Sequence, residues 1–148
     1  MTLDAIKTIA VIGAGTMGNG IAHVFAKAGY SVILRDVDQK YLDRALDTIG
    51  TNLDREVKKA KITEADKSAT LARIKITTDA KALAAADIAI EAVPEQRELK
   101  ERVLNEADAT LRPSAILASN TSSISITALA AKTSRPEQFI GMHFMNPV

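Results

Sequence analysis

The 148 residues contain no cysteine and no tryptophan. Without thiols there is no disulfide and no thiolate–metal centre, which fits a reducing compartment without requiring one. No metal site is expected. An excess of charge of either sign is also lacking. Lys and Arg number 19 against 18 Asp and Glu, a formal net charge of +1, and the signs are interspersed. That argues against a nucleic-acid partner, whose affinity needs a basic face. No apolar run approaches the roughly 18–20 residues of a membrane span, so no membrane partner is expected. The start, Met1 to Lys7, has neither the basic head nor the long apolar core of a secretory leader, and a transit peptide would be Arg-rich and acid-poor. The expected location is the cytoplasm. Large rings are scarce, with three Phe and two Tyr, whereas alanine occupies 25 positions. Such a composition builds a core by close helix–sheet packing.

At roughly 100–200 residues per domain the chain is one domain, 1–148. It has no internal repeat, low-complexity tract or linker. Short β-branched runs alternate with longer helical stretches. Lys7–Ile12 (KTIAVI) reads as a buried strand ending at glycine. Thr16–Ala28 places Met17, Ile21, Val24, Phe25 and Ala28 at helical spacing, and Gly29 closes it. Ser31–Leu34 is a second strand. Asp38 to about Ala60 is a long helix with Leu42, Ala45, Leu46, Ile49, Leu53 and Val57 on one face. Thr63-Glu64-Ala65-Asp66 reads as a cap and acidic first turn, opening a helix to about Ala72. Strands follow at Ile74–Thr77, Ile88–Ala92, Ala115–Ala118 and Phe139–His143. Helices are expected at Lys81–Ala86, from Pro94 to about Thr110, and at Ser125–Lys132. Strands alternating with helices imply crossover units, hence an α/β fold with a doubly wound, mostly parallel sheet. Its ligand should lie off the carboxyl ends of the strands.

Gly13-Ala14-Gly15-Thr16-Met17-Gly18 fits the dinucleotide-binding pattern of glycines, directly after a strand and opening a helix. Gly13 allows the tight turn, Gly15 lets a pyrophosphate approach the backbone, and Gly18 allows close packing. The first helical N–H groups, from Thr16 and Met17 onward, then face the phosphates. Asp36 lies 18 residues beyond Gly18, at the end of the second strand. There it can accept from the adenosine ribose and repel a 2′-phosphate, so NAD is the expected cofactor. Three alternatives stay open. Asp36 could be only a helix cap, a task for which Asp38 competes; Arg35 could reach a phosphate; and an FAD site has the same glycine pattern.

Two polar clusters follow strands in the second half. They are Ser119-Asn120-Thr121-Ser122-Ser123 and Met142-His143-Phe144-Met145-Asn146-Pro147. Both fall on the carboxyl edge, where the reactive end of the cofactor reaches. Alcohol oxidation needs a base, and imidazole titrates near neutrality. His143 could equally be a satisfied polar residue, and the Ser/Thr cluster could be caps for the following helix. His23, within the first helix, reads as packing or surface. Glu91 and Glu95 flank Val93-Pro94 at the same edge. Glu95 also suits a helix's first turn. Lys58, Lys59 and Lys61 either complement a helix C-terminus or contact an anionic substrate.

The segments Val11-Ile12-GAGTMGNGIA, Ile88-AIEAVPE, Ala118-SNTSSISIT and Phe139-IGMHFMNPV together resemble the NAD-binding domain of the L-3-hydroxyacyl-CoA dehydrogenases, and among these the bacterial 3-hydroxybutyryl-CoA type. The resemblance covers the whole chain. Met145 stands where the family usually has a second Phe. The resemblance implies His143 as catalytic base and Ser122 as the serine that binds the substrate 3-oxygen near the nicotinamide. It implies Asn146 beside the ring, Glu95 and Lys100 as cofactor contacts, and Lys59 and Asn52 as contacts to CoA. The implied reaction is the reversible oxidation of a 3-hydroxyacyl-CoA to the 3-ketoacyl-CoA with NAD, in fatty-acid or butanoate metabolism. Family members continue into a glutamate that partners the histidine and a helical domain that closes the acyl site and makes a homodimer. The chain carries neither, so it is expected to bind NAD yet not to turn over acyl-CoA alone. Other NAD-dependent hydroxyacid or sugar-acid dehydrogenases, or a non-catalytic nucleotide-binding module, would use the same glycine turn. Asp36 makes the first test. The chain should bind NADH more tightly than NADPH, and Asp36→Ala should narrow the gap; equal affinities before mutation, by fluorescence titration, would contradict the assignment.

Overall fold

The computed structural model describes residues 3–148; Met1 and Thr2, part of the start at which no leader is expected, lie outside the described residues. The elements run β1 (Thr8–Ile12), α1 (Thr16–Lys27), β2 (Ser31–Arg35), α2 (Gln39–Lys58), α3 (Glu64–Ala72), β3 (Ile74–Thr77), β4 (Ile88–Glu91), α4 (Arg97–Thr110), β5 (Ile116–Ser119), α5 (Ile126–Ala130) and β6 (Phe139–Gly141). The strands form one sheet in the order β3-β2-β1-β4-β5-β6, and all five pairings are parallel. The chain winds outward one way from β1 to β3 and the other way from β4 to β6. The order therefore reverses between β1 and β4, which opens a crevice at their carboxyl ends.

Alternation along each strand divides the core. Ile9 and Val11 of β1 pack with Val32 and Leu34 of β2 under α1, α2 and α3. Ala10 and Ile12 face the other way and pack with Ile33, Leu104, Ala107 and Leu117 under α4. Both faces of the sheet are thus covered, so the strands read as continuous apolar runs. Leu42, Ala45, Ile49 and Leu53 form the buried stripe of α2 expected from their spacing. Thr63 and Asp66 make a reciprocal capping box at the start of α3. Arg135, buried, closes the end of α4. Its guanidinium donates to the carbonyls of Asp108, Leu111, Arg112 and Ala115 and, at 2.6 Å, to Asp108 Oδ1. Burial pushes the Asp108 carboxyl up, but the bonds from Arg135 and Ser134 outweigh it and hold the group below its ordinary range.

Some boundaries differ from the sequence reading. Residues 94–96 are loop, and α4 begins at Arg97 after its N-cap Gln96. Proline can open a helix, but here Val93 N–H is drawn to the Glu91 side chain and Gln96 N–H to the Pro94 carbonyl, which fixes a turn instead. Ala80–Ala85 is a 3-10 segment rather than an α-helix. The expected helix Ser125–Lys132 shortens to Ile126–Ala130, capped by Ser125. β6 stops at Gly141, so His143 lies in the loop beyond it rather than on the strand.

Two glycines in helices should respond oppositely to alanine. A Cβ on Gly18 would stand 1.7 Å from the Gly13 carbonyl oxygen, whereas one on Gly50 meets nothing within 4 Å. Gly50→Ala should raise stability by about 0.5–1 kcal/mol, the ordinary helix gain. Gly18→Ala should lower it by about 1–3 kcal/mol or more, as overpacking does. Thermal unfolding checks both; a gain for Gly18→Ala would contradict the close approach.

Candidate active site

The crevice at the switch point is a cleft of about 670 Å³. One wall is the glycine turn. Gly13 has φ +105°, open to glycine at little cost, and its N–H donates to the Arg35 carbonyl at 2.8 Å. Gly15 is the N-cap of α1 and offers no side-chain acceptor, so the first N–H groups of the helix keep their donor capacity. A Cβ on Gly15 would meet nothing within 4 Å: the space beside its backbone is open to a ligand. This separates the three glycines. Gly13 and Gly18 are required by contacts within the protein, and Gly15 leaves room outside it. Gly13, Gly15, Thr16 and Met17 line the cleft, while Gly18 is buried behind the turn.

Asp36 stands at the rim of the cleft. Its Oδ2 accepts from Ala14 N–H and its Oδ1 from Val37 N–H, both at 2.7 Å. Asp38, not Asp36, caps α2, by accepting from Lys40 N–H at 2.9 Å. That removes the competing role and leaves Asp36 as the carboxylate tied to the glycine turn. Arg35 is buried, and its guanidinium faces Glu106 of α4 with N–O distances of 3.1 and 3.3 Å. Its charge is thereby paired beneath the cleft. Val37, Ala92, Val93, Leu99 and Val103 supply an apolar slot between these polar ends.

The far end of the cleft rests on a buried network. Glu91, at the end of β4, is 0% exposed, and Lys100 on α4 is 1% exposed. Lys100 Nζ donates to Glu91 Oε1 at 2.7 Å and to the Val93 carbonyl at 3.0 Å, and lies 3.3 Å from Glu95 Oε2. Glu91 Oε1 also accepts from Val93 N–H at 2.7 Å, and Oε2 from Ser119 Oγ at 2.5 Å. Both carboxylate oxygens of Glu91 therefore accept, and the ammonium donates twice and faces a second carboxylate, the condition under which a buried pair is tolerated. Glu95 in turn accepts from Thr121 Oγ1 and, at 3.0 Å, from Ser123 Oγ. Burial raises its pKa, but the hydroxyl bonds and Lys100 prevail and hold the carboxyl below its ordinary range. The β4 loop and the β5 loop are thus cross-linked.

Glu95 and Lys100 border the cleft together with Asn120. Lys100 is spent within the network rather than held out to a ligand. Ser122 is exposed, next to Asn120 and the bonded Thr121. His143 is also exposed and lines neither cleft; its Nδ1 lies 3.3 Å from the Asn120 carbonyl oxygen. Asn146 and Asn52 border a second, neighbouring cleft of about 470 Å³, which shares Gly15 and Thr16 with the first. Lys59 is the exposed C-cap of α2 and borders neither cleft. His23 lines the second cleft half-buried; burial lowers its pKa, and its Nε2 has no hydrogen-bond partner among the described residues. The sequence reading placed Ser119, Asn120 and Thr121 in a cluster whose hydroxyls could hold a substrate oxygen or cap a helix and whose amide could hold the nicotinamide or the loop; it did not foresee their bonds to Glu91, Glu95 and Phe144. The available signal was Glu91, a carboxylate inside a buried strand, which needs a cation and donors nearby.

Residues 8–148 match the family described as 3-hydroxyacyl-CoA dehydrogenase, NAD binding domain. The chain is 52% identical over 143 residues to 3-hydroxybutyryl-CoA dehydrogenase of Bradyrhizobium diazoefficiens, covering 97% of this chain and 49% of that protein. It is 45% identical to 3-hydroxyadipyl-CoA dehydrogenase of Escherichia coli, over 96% of this chain and 30% of that protein. The crystal structure of (S)-3-hydroxybutyryl-CoA dehydrogenase from Ralstonia eutropha superimposes with a TM-score of 0.96 at 50% identity, over 97% of this chain and 51% of that one. The chain spans about half the length, or less, of the relatives it matches.

The network predicts the cost of breaking it. Lys100→Met leaves Glu91 buried and unpaired and should destabilise the fold by about 3–5 kcal/mol. Urea unfolding followed by circular dichroism measures this; a loss below about 1 kcal/mol, within the range of exposed pairs, would contradict it.

Proposed function

The chain belongs to the family of 3-hydroxyacyl-CoA dehydrogenase NAD-binding domains, and from that premise we propose that it is the nucleotide-binding half of an oxidoreductase interconverting a 3-hydroxyacyl-CoA, of the 3-hydroxybutyryl-CoA class, and its 3-ketoacyl-CoA. The observation that carries the reading is the cleft itself. An open glycine turn, a rim carboxylate and an apolar slot lead to the loop that bears Asn120 and Ser122, and His143 stands against that loop. These residues fit NAD. The α1 N-terminus and Gly15 take the pyrophosphate, Asp36 the adenosine ribose, and the Val37–Leu99–Val103 slot the adenine. When bound, the nicotinamide supplies the acceptor for the hydrogen that leaves C3 of the substrate with its electron pair.

The remaining steps belong to the chain's side chains. Ser122 holds the substrate's 3-oxygen. His143 takes the hydroxyl proton at Nε2 as the C3–O bond becomes a carbonyl, so one proton and one hydride leave the alcohol. The Glu95 carboxylate, fixed by Thr121 and Ser123, keeps the two loops in register beside the nicotinamide, and Asn146 contacts that end of the cofactor. Asn52, on the second cleft, and Lys59, at the end of α2, contact CoA. The reading extends to a cytoplasmic enzyme that is a homodimer through a helical domain, as the family resemblance implies.

Gly15→Val should abolish NADH binding while leaving the circular dichroism spectrum unchanged, because its side chain enters space that only the ligand uses. Retained binding would refute the pyrophosphate assignment. In the full-length protein, His143→Gln should lower oxidation of 3-hydroxybutyryl-CoA by about 10²–10⁴-fold, the usual contribution of a general base, with NADH affinity unchanged.

A further inference from the structure

Two cations line the first cleft among the described residues, Arg35 and Lys100, and carboxylates hold both. A cleft that takes the phosphates of a dinucleotide thus withholds its cations and offers peptide N–H groups instead. The two cations are withheld differently. Lys100 is gripped by Glu91, by the Val93 carbonyl and by Glu95, all within 3.3 Å. The Arg35 side chain has a single partner. Its terminal nitrogens face the two carboxylate oxygens of Glu106 at 3.1 and 3.3 Å, and its Nε is buried with no hydrogen-bond partner among the described residues.

The strand decides where this arginine points. Arg35 shares a face of β2 with Ile33, which packs toward α4. On α4, Glu106 stands one turn beyond Val103, a wall of the base slot. Asp36, next in the chain, is bonded instead to Ala14 N–H in the glycine turn. The guanidinium therefore starts one residue from the rim acid and is drawn away from it by α4. Arg35 is 7% exposed, whereas the Glu106 side chain is 45% exposed. A guanidinium that deep is not tolerated once its one counter-charge is removed. The space open to it is the cleft it already lines, and an arginine there is what accommodates the 2′-phosphate of NADP in dinucleotide sites.

We infer that Glu106 is a specificity-determining residue for the cofactor: by holding Arg35 beneath the base slot, it denies a 2′-phosphate its counter-charge. It rests on the reading of the cleft as the dinucleotide site. Selection against NADP is then twofold in origin. Asp36 repels the extra phosphate at the rim, and Glu106, which does not itself line the cleft, keeps the nearest cation out of reach.

A freed Arg35 would be captured by Asp36 beside it, so the test is made in the Asp36→Ala protein, with NADPH and NADH titrated by fluorescence. Adding Glu106→Ala should tighten NADPH binding about tenfold or more, the worth of a hydrogen bond between charged groups, and NADH binding by less than about threefold. The NADPH gain should shrink as salt is raised. Arg35→Met should cancel the gain when Glu106 is absent, and should leave NADPH affinity within about twofold when Glu106 is present, which separates release of Arg35 from mere loss of a negative charge. NADPH affinity unmoved by Glu106→Ala, or a gain that survives Arg35→Met, would overturn the inference. So would weaker NADPH binding on Arg35→Met with Glu106 in place, because the cation would then already be in use. Should Glu106→Ala not fold, as judged by circular dichroism, this last comparison decides alone. A parent chain that binds no NADH would instead remove the dinucleotide site itself, so the two failures are distinguishable.

Discussion

The carboxyl edge of this sheet depends on one buried ion pair. Glu91 and Lys100 are both withdrawn from water, and the several kcal/mol of desolvation this costs per ion is offset because both carboxylate oxygens accept hydrogen bonds and the ammonium donates two and faces Glu95. Their partners lie on different elements: the Val93 peptide in the β4 loop, Ser119 at the end of β5, and Glu95 further along the β4 loop. Satisfying the pair therefore shapes the loops. It draws residues 92–96 into a turn, delays α4 to Arg97, and carries Glu95 to the hydroxyls of Thr121 and Ser123. A hydrophobic pair of similar volume could fill the same space, but it could not direct those peptides.

Everything the cleft presents is built outward from that edge. The reversal of strand order makes the crevice, and the glycine turn after β1 and the acid after β2, bonded to one another, line one end of it. The network on β4 and β5 furnishes the other end. Asn120 extends it by one more residue, joining the rigid strand end to the loop that bears His143. The abundance of alanine serves the same arrangement. Ala10, Ala89 and Ala118, in three of the four inner strands, are all 0% exposed, and small side chains there let helices pack close on both faces of the sheet.

Periodicity and motif made most of this legible. The strand cores, the α2 stripe, the α3 capping box, the glycine turn and the register of Asp36 all follow from local spacing, because each is a local demand of backbone or burial. The misread features were decided by partners distant in sequence. Pro94 looked like a helix start, and only the pull of Glu91 on the Val93 peptide shows why it is not. Lys100 lines the cleft, but the bond of its ammonium to Glu91, nine residues back, could not be read from local spacing. His143 looked like the end of a strand but stands beyond it, and the contacts that join Asn120 to its loop span 23 and 24 residues, beyond the reach of local spacing.

The central claim is that the Glu91–Lys100 pair specifies loop geometry rather than net stability. It is tested most directly by replacing both partners together, Glu91→Leu with Lys100→Met, and titrating NADH into the folded product. Removing both charges leaves neither unpaired, so the melting temperature should stay within about 4 °C of the parent, equivalent to about 1 kcal/mol. NADH affinity should nevertheless fall by about tenfold or more, as the β4 and β5 loops lose their shared anchor. A double variant that binds NADH as tightly as the parent would contradict the claim.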